Sequence, residues 1–303
     1  MKKYIATLIA LSALISCDMR EAAQSPQEPE TPQREEGVMY FEPVYPGSTK
    51  ATETAFEQGD VIGLYVTDYQ GETAPPLQIS GNWANNVSAT FDGASWLTSK
   101  KIFWGEGQMD VYGYYPYMTP VSIDEQPFSV ALDQSAPESD GQLSGYEASD
   151  FLWDKVTGVD QTTTETVELQ FRHCLSKFVI QMVKGPSYEG DFPEDAEVYI
   201  HSTVPTATID FTTGSVTKDL FGEMATIKAR KVNASTFEAI IVPQRLDTRR
   251  PFIEVIAGGI SYLLEDTFQF KPGMQHTLSL TINSNPDQIE IEIGGDIEGG
   301  DWN

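Results

Sequence analysis

Apolar and polar residues along this chain recur with the period of strands. From Val167 to Val183 it reads VELQFRHCLSKFVIQMV, with neither Gly nor Pro. Val167, Leu169 and Phe171 put one apolar side chain on every second residue, which is strand rather than helix periodicity. Past Leu175, the residues Phe178, Val179, Ile180, Met182 and Val183 are apolar on both faces, as in a strand inside a sandwich. The stretch predicts one core strand that opens the second half of the chain, after the polar run Asp160–Thr166. Before it, strands are predicted over 38–46, 61–67, 101–104, 109–115 and 128–132. After it they are predicted over 197–201, 207–211, 225–229, 237–242, 252–256, 267–270 and 275–282. Turns rich in Gly and Asn separate them, as in Tyr69-Gln70-Gly71 and Gly81–Asn86. Pro43 limits the first strand to a sheet edge or a bulge. Beyond Asn283–Pro286 alternation returns, with Ile289, Ile291 and Ile293 on one face and Glu290 and Glu292 on the other. No tandem repeat is present. The pattern predicts an all-β chain of two sandwich domains, 38–165 and 166–303, the second carrying a terminal appendage strand over 288–293.

Composition agrees with a globular β chain and narrows its partners. Among 303 residues, 40% are hydrophobic, enough for a core. Lys and Arg number 19 against 45 Asp and Glu, a formal charge of −26, so the surface repels phosphate backbones and nucleic acid is excluded as a partner. The first 17 residues, MKKYIATLIALSALISC, carry a positive start and an apolar run too short to span a bilayer. They end in Leu14-Ile15-Ser16-Cys17, which has the form of a bacterial lipobox and predicts lipidation of Cys17 and anchoring without spanning. Residues 18–37, rich in Glu, Gln and Pro, have the composition of a disordered tether.

Little of the remaining chemistry nominates a reactive site. The three histidines, His173, His201 and His276, lie on separate predicted strands without metal-ligand spacing, so no metal site is predicted. His173 is expected to be a hydrogen-bonded structural imidazole, and Cys174 a small core residue on the opposite face, which rules out a nucleophile–base pair. No phosphate loop, dinucleotide-binding glycine pattern or nucleophile elbow is present, and no carboxylate pair stands out for glycoside hydrolysis. The sequence thus predicts neither an enzyme nor a cofactor. The first half is rich in aromatics: Trp83, Trp96, Trp104 and Trp153, with Tyr112, Tyr114, Tyr115 and Tyr117. They are expected mainly in the core, with a sugar-stacking face as the alternative.

Several segments, in order, resemble the fimbrillin family, the type V pilins of the Bacteroidales. Lys101-Ile102-Phe103-Trp104 followed by Met109-Asp110-Val111-Tyr112-Gly113-Tyr114-Tyr115-Pro116 is similar to a family segment ending Ala-Tyr-Tyr-Pro, with Gly113 where Ala is usual. Asp150-Phe151-Leu152 resembles an Asp-Leu-Leu segment. Phe171, His173, Leu175 and Lys177 match the pattern Phe-x-His-x-Leu-[Ala/Ser]-Lys. Phe270-Lys271-Pro272-Gly273 resembles a Phe-x-Pro-Gly turn, and Asp301-Trp302-Asn303 the family tail. With the lipobox, the likeness covers nearly the whole chain.

This resemblance implies two tandem antiparallel β-sandwich domains of transthyretin-like topology, with an N-terminal lipoprotein signal and a C-terminal donor-type strand. It implies a surface lipoprotein of the outer membrane that becomes a fimbrial subunit. A trypsin-like maturation protease removes the N-terminal strand, and the vacated groove takes the C-terminal strand of another subunit, here through Ile289, Ile291 and Ile293. The removable strand would be 38–46. The basic residue after it is Lys50, before Ala51, where the family has Arg. Arg34 is an alternative processing site, but it precedes the strand, so cutting there leaves the groove filled. Either the protease accepts Lys or the chain stays uncut as a basal anchor. Partners would be other fimbrial subunits and, as an adhesion target, a host glycan or protein. The competing reading is a monomeric surface glycan-binding lipoprotein.

Overall fold

The computed structural model describes residues 34–47, 55–139, 141–283, 290–292 (as backbone) and 301–303. Among them the only helical element is a short 3-10 turn, Glu147–Ser149. The strands are β1 (Phe41–Val44), β2 (Val61–Asp68), β3 (Ala84–Phe91), β4 (Trp96–Thr98), β5 (Met109–Tyr115), β6 (Gln126–Ser129) and β7 (Leu152–Val159). They continue with β8 (Val167–Gln170), β9 (Arg172–His173), β10 (Ser176–Lys184), β11 (Glu197–Thr203), β12 (Thr206–Asp210), β13 (Ser215–Lys218) and β14 (Ala225–Lys228). The last are β15 (Arg230–Lys231), β16 (Thr236–Ile241), β17 (Arg245–Ala257), β18 (Ile260–Gln269), β19 (Gln275–Ile282) and β20 (Glu290–Glu292). The chain is all-β, as its periodicity predicts, and most of its strand pairs are antiparallel.

Two sheets face each other in the C-terminal half, ordered β15-β16-β10-β19-β20 and β14-β11-β17-β18. Phe178, Ile180 and Met182 of β10 and Leu278, Leu280 and Ile282 of β19 meet Val198, Ile200, Phe252 and Val255 in one buried cluster. The Phe178 and Phe252 rings stack with centroids 5.6 Å apart. β10 lies between β16, antiparallel, and β19, parallel, which explains its apolar composition.

In the N-terminal half a six-stranded sheet, β4-β3-β2-β5-β7-β9, has both faces covered. Ile62, Leu64, Val66, Met109 and Val111 point into a cluster shared with Met39, Phe41, Val167 and Leu169. Tyr65, Tyr112 and Tyr114 point the other way, into the larger cluster, where they meet Ile209 and Phe211. Every residue of β5 is therefore buried.

The stretch 167–183, expected as one strand, is three. β8 pairs in parallel with β1, β9 pairs with β7, and only β10 belongs to the C-terminal sheet. The four residues His173, Cys174, Leu175 and Ser176 are all buried. A run buried at every position does not alternate; here the chain crosses from one sheet to another. Lys101–Trp104 forms only an isolated bridge, Phe103 to Val38. β3 was not predicted: its first residues, 84–86, fall in the stretch read as a turn, and Asn86 stands at φ 44°. The first part of β18 was also missed. It follows the two-residue turn Gly258-Gly259, whose φ values of 58° and 78° suit a tight hairpin between β17 and β18.

Candidate functional site

The leading strand is built to be held by few neighbours. Val38, Met39, Phe41 and Pro43 are buried while Glu42 is exposed, and Met39 and Phe41 line one wall of the N-terminal core. Among the described strands β1 pairs with one, β8. Pro43 lacks an N–H to donate and is tolerated here because one side of the strand is not in a ladder. Before β1, Met39 N–H donates to Ile102 O at 2.8 Å, and Trp104 N–H donates to Gly37 O at 2.9 Å. Along it, Val167 N–H donates to Tyr40 O at 2.8 Å and Phe171 N–H donates to Val44 O at 3.1 Å. The other wall of this site is close-packed. A Cβ on Gly113 would come within 2.9 Å of Leu169 Cδ1 and 3.0 Å of Phe171 Cζ, so glycine there admits the segment against which β1 lies.

Just past β1, segments far apart in sequence converge on His173. The ring is buried, and its Nδ1–H donates to Asp150 Oδ1 at 3.0 Å, as expected of a structural imidazole. Tyr45 packs edge-on against it with centroids 5.7 Å apart, and the Tyr45 hydroxyl donates to Asp150 Oδ2 at 3.4 Å. Trp302 lies flat on the imidazole, 3.6 Å between centroids and 4° from parallel. His173 N–H donates to Asn303 Oδ1 at 2.6 Å, and Trp302 N–H donates to Gly273 O at 3.1 Å. Gly273, at φ 66°, leaves room for Asn303, whose Nδ2 would be 2.9 Å from a Cβ there. Its own N–H donates to Leu175 O at 2.8 Å, and Ser176 Oγ donates to Lys271 O at 2.5 Å. Four of the segments that carry the family resemblance, 150–152, 171–177, 270–273 and 301–303, are thus one structural unit. Tyr45 is a member that sequence reasoning passed over, because nothing in its local pattern marks it.

The other expected positions are dispersed. Cys17, Lys50, Ala51, Ile289 and Ile293 lie outside the described residues. Ile291 sits in β20, whose backbone pairs with Leu280 of β19. Arg34 is exposed. Cys174 is buried, which pushes its thiol pKa up to about 12. His201 bridges Thr226 Oγ1 at 2.9 Å and Glu254 Oε2 at 3.0 Å on one sheet face. His276 is buried beside Phe268 and Phe270. Of the aromatics, Trp153, Tyr112, Tyr114 and Tyr115 are core, while Trp83 is 46% and Tyr117 39% exposed. The Trp83 indole N–H donates to Phe103 O at 2.7 Å. Among the described residues no cluster of His, Cys, Asp or Glu could hold a metal ion.

Known structures share this architecture. A candidate cell adhesion protein from Bacteroides uniformis superposes with a TM-score of 0.64 at 21% identity, over 89% of this chain and 100% of its own. Another, from Bacteroides ovatus, gives a TM-score of 0.63 at 18% identity, over 84% of this chain and 95% of its own. A fimbrial protein from Bacteroides ovatus gives a TM-score of 0.51 at 15% identity, over 80% of this chain and 48% of its own. At these identities the likeness establishes the fold. No curated protein matches the chain in sequence. The family model described as Fimbrillin-like matches residues 49–302, which include every described residue meeting at His173 except Tyr45 and Asn303. By that match the chain belongs to the Fimbrillin-like family.

Proposed function

We propose that this protein is a structural subunit of a cell-surface fimbria, or its basal anchor, and that it polymerises by strand exchange. On this reading Cys17 carries the lipid that brings the chain to the outer membrane. A protease that accepts Lys cuts between Lys50 and Ala51, and the strand over 38–46 departs. The groove then takes the segment around Ile289, Ile291 and Ile293 from another copy or another subunit type. The two halves act as successive domains, the first presenting the groove and the second the donor. The observation that carries the reading is the leading strand itself, which contributes apolar side chains to a core yet pairs with one of the described strands. Strand addition suits such a seat, since backbone bonds supply affinity and alternate side chains fill pockets. Refilling the groove in trans also removes an exposed edge.

The test is N-terminal sequencing of subunits from sheared fibres, which are expected to begin at Ala51. Fibres whose subunits retain 38–46 would overturn the exchange. Unboiled electrophoresis is expected to give a ladder. Labelling with a palmitate analogue is expected to be lost in Cys17→Ala; equal labelling of both proteins would remove the anchor.

A further inference from the structure

The loop between β13 and β14 holds two large apolar side chains in solvent. Among the described residues Phe221, 96% exposed, and Leu220, 81% exposed, are the most exposed large apolar side chains, and Met224 beside them is exposed as well. Neither Leu220 nor Phe221 joins a core cluster. The loop that carries them is nonetheless firmly built. Phe221 N–H donates to Asp219 Oδ1 at 2.9 Å, Thr206 Oγ1 donates to Asp219 Oδ2 at 3.3 Å, and Asp219 N–H donates to Thr206 O at 2.9 Å. A Cβ on Gly222 would collide with Thr206 Oγ1 and Val204 Cγ1. Glycine there lets the turn close on the segment entering β12, with Leu220 and Phe221 at its tip. Arg250 Nη1 lies 3.0 Å from Met224 Sδ, so the tip stands beside β17. An exposed apolar tip on a fixed loop marks a contact surface.

Farther along β17 the chain carries a socket of matching character. A cavity of about 290 Å³ opens between β17, β18 and β19, walled by Leu246, Phe252, Leu264, Phe268 and Leu278. An apolar cavity of about 150 Å³ admits benzene, so this one has room for a phenyl ring and a leucine side chain together. Scarce positive charge gathers at its mouth: Arg245, Arg249 and Arg250 are three of the chain's 19 Lys and Arg, within six residues. Asp247, Glu265 and Asp266 balance them, so the mouth is neutral on a chain of formal charge −26. The pairs of Arg245 with Asp247 and of Arg249 with Glu265 are solvent-exposed and weak, which leaves both guanidinium groups open to other carboxylates. The tip is flanked by the opposite sign, Asp219 and Glu223. Anionic headgroups of a membrane repel those carboxylates and the acidic chain behind them. The socket of a second copy offers what the tip lacks, an apolar seat with arginines at its rim. We infer that the Leu220–Phe221 tip of one copy docks in the socket between β17, β18 and β19 of another, a side contact between subunits. This contact does not rest on strand exchange, because neither tip nor socket includes 38–46 or 288–293.

The test is photocrosslinking between two differently tagged full-length copies produced in the same cells. One copy carries Met224→p-benzoylphenylalanine, next to the tip, and the other is unmodified. Illumination followed by boiling is expected to give a product that joins both tags and maps to residues 245–252 or 264–269 of the unmodified copy. Phe221→Asp in the photoreactive copy should lower its yield at least about tenfold, the factor for losing one buried phenyl group. Arg245→Glu with Arg249→Glu in the other copy should lower it severalfold, through the rim charges. All three positions are exposed, so these changes leave the fold intact. Lys100→Glu with Lys101→Glu, exposed in the N-terminal half, adds the same negative charge elsewhere and should leave the yield unchanged. The inference is overturned if no two-tag product forms, if it maps to other residues, or if Phe221→Asp leaves its yield unchanged. It is also overturned if the lysine pair lowers the yield as much as the arginine pair, or if the label is found on lipid alone. Boiling separates copies joined only by strand exchange, so the two readings fail separately. A two-tag product in cells that form no ladders keeps the side contact and rejects strand exchange. Ladders without the product keep strand exchange and reject the side contact.

Discussion

Phe41→Ala tests whether the leading strand is an integral part of the N-terminal core. Phe41 is 8% exposed and shares its cluster with Met39, Ile62, Leu64, Val167 and Leu169. Truncating a buried Phe costs about 3–5 kcal/mol through lost transfer energy and the cavity left behind. For a unit of this size each 1 kcal/mol lowers Tm by roughly 2–4 °C, so the loss should approach ~10 °C. Urea unfolding followed by tryptophan fluorescence gives the companion measurement. If the strand unfolds with the rest, the midpoint falls and the slope m is unchanged. If it detaches first, m falls as well, because less surface remains to be exposed in the main transition. Glu42→Ala, on the exposed face of the same strand, should change the midpoint by less than ~0.5 kcal/mol in equivalent stability. A Phe41→Ala protein with the same midpoint and m as Glu42→Ala would refute the argument, since the strand would then add nothing to the core it lines.

Gly113→Ala places a methyl group 2.9 Å from Leu169 Cδ1 and 3.0 Å from Phe171 Cζ. It should cost about 1–3 kcal/mol by overpacking; a variant as stable as the wild type would show that this wall yields. Burial raises the pKa values of Tyr65, to about 12, and of Tyr114 and Tyr115 further, above the ordinary 10. Above pH 10 the unfolded chain ionises these hydroxyls while the folded one keeps them protonated. Stability should therefore fall as pH rises, by up to about 1.4 kcal/mol per pH unit for each tyrosine. Absorbance at 295 nm should show them titrating only as the protein unfolds; reversible ionisation within a folded protein would refute the burial. In Cys17→Ala, Cys174 should resist iodoacetamide at pH 8 until denaturant is added, because burial holds its thiol up to about 12. Rapid labelling of the folded protein would contradict this.

Local pattern determined a good deal of this protein. Alternation at Leu278, Leu280 and Ile282 gave the inward face of β19 directly, because each strand residue points opposite to its neighbours. The apolar run 178–183 marked a central strand, and order and spacing of the signature segments gave the family. Strand partners were another matter. Val167, Leu169 and Phe171 alternate as well beside β1 as they would at the start of β10, and periodicity carries no information about which strand lies alongside. The consecutive burial of His173, Cys174, Leu175 and Ser176, where the chain changes sheets, is visible only in the folded structure. The polar strand β3 and the glycine hairpin before β18 escaped because their places depend on neighbours rather than on their own hydrophobicity.

The functional core shows the same division. The sequence determined that Asp150, His173, Gly273 and Trp302 belong to a recurring set, since each sits in a recognisable segment. It gave no indication that they touch, because contacts separated by 23, 100 and 129 residues from one another are set by sheet topology rather than by local propensity. Only the tertiary structure brought Tyr45 to the same imidazole. The parallel pairing of β1 with β8 carries Tyr45 to the point where β7, β9 and residues 301–303 already meet, and this proximity puts Tyr45 and Trp302 on one buried histidine.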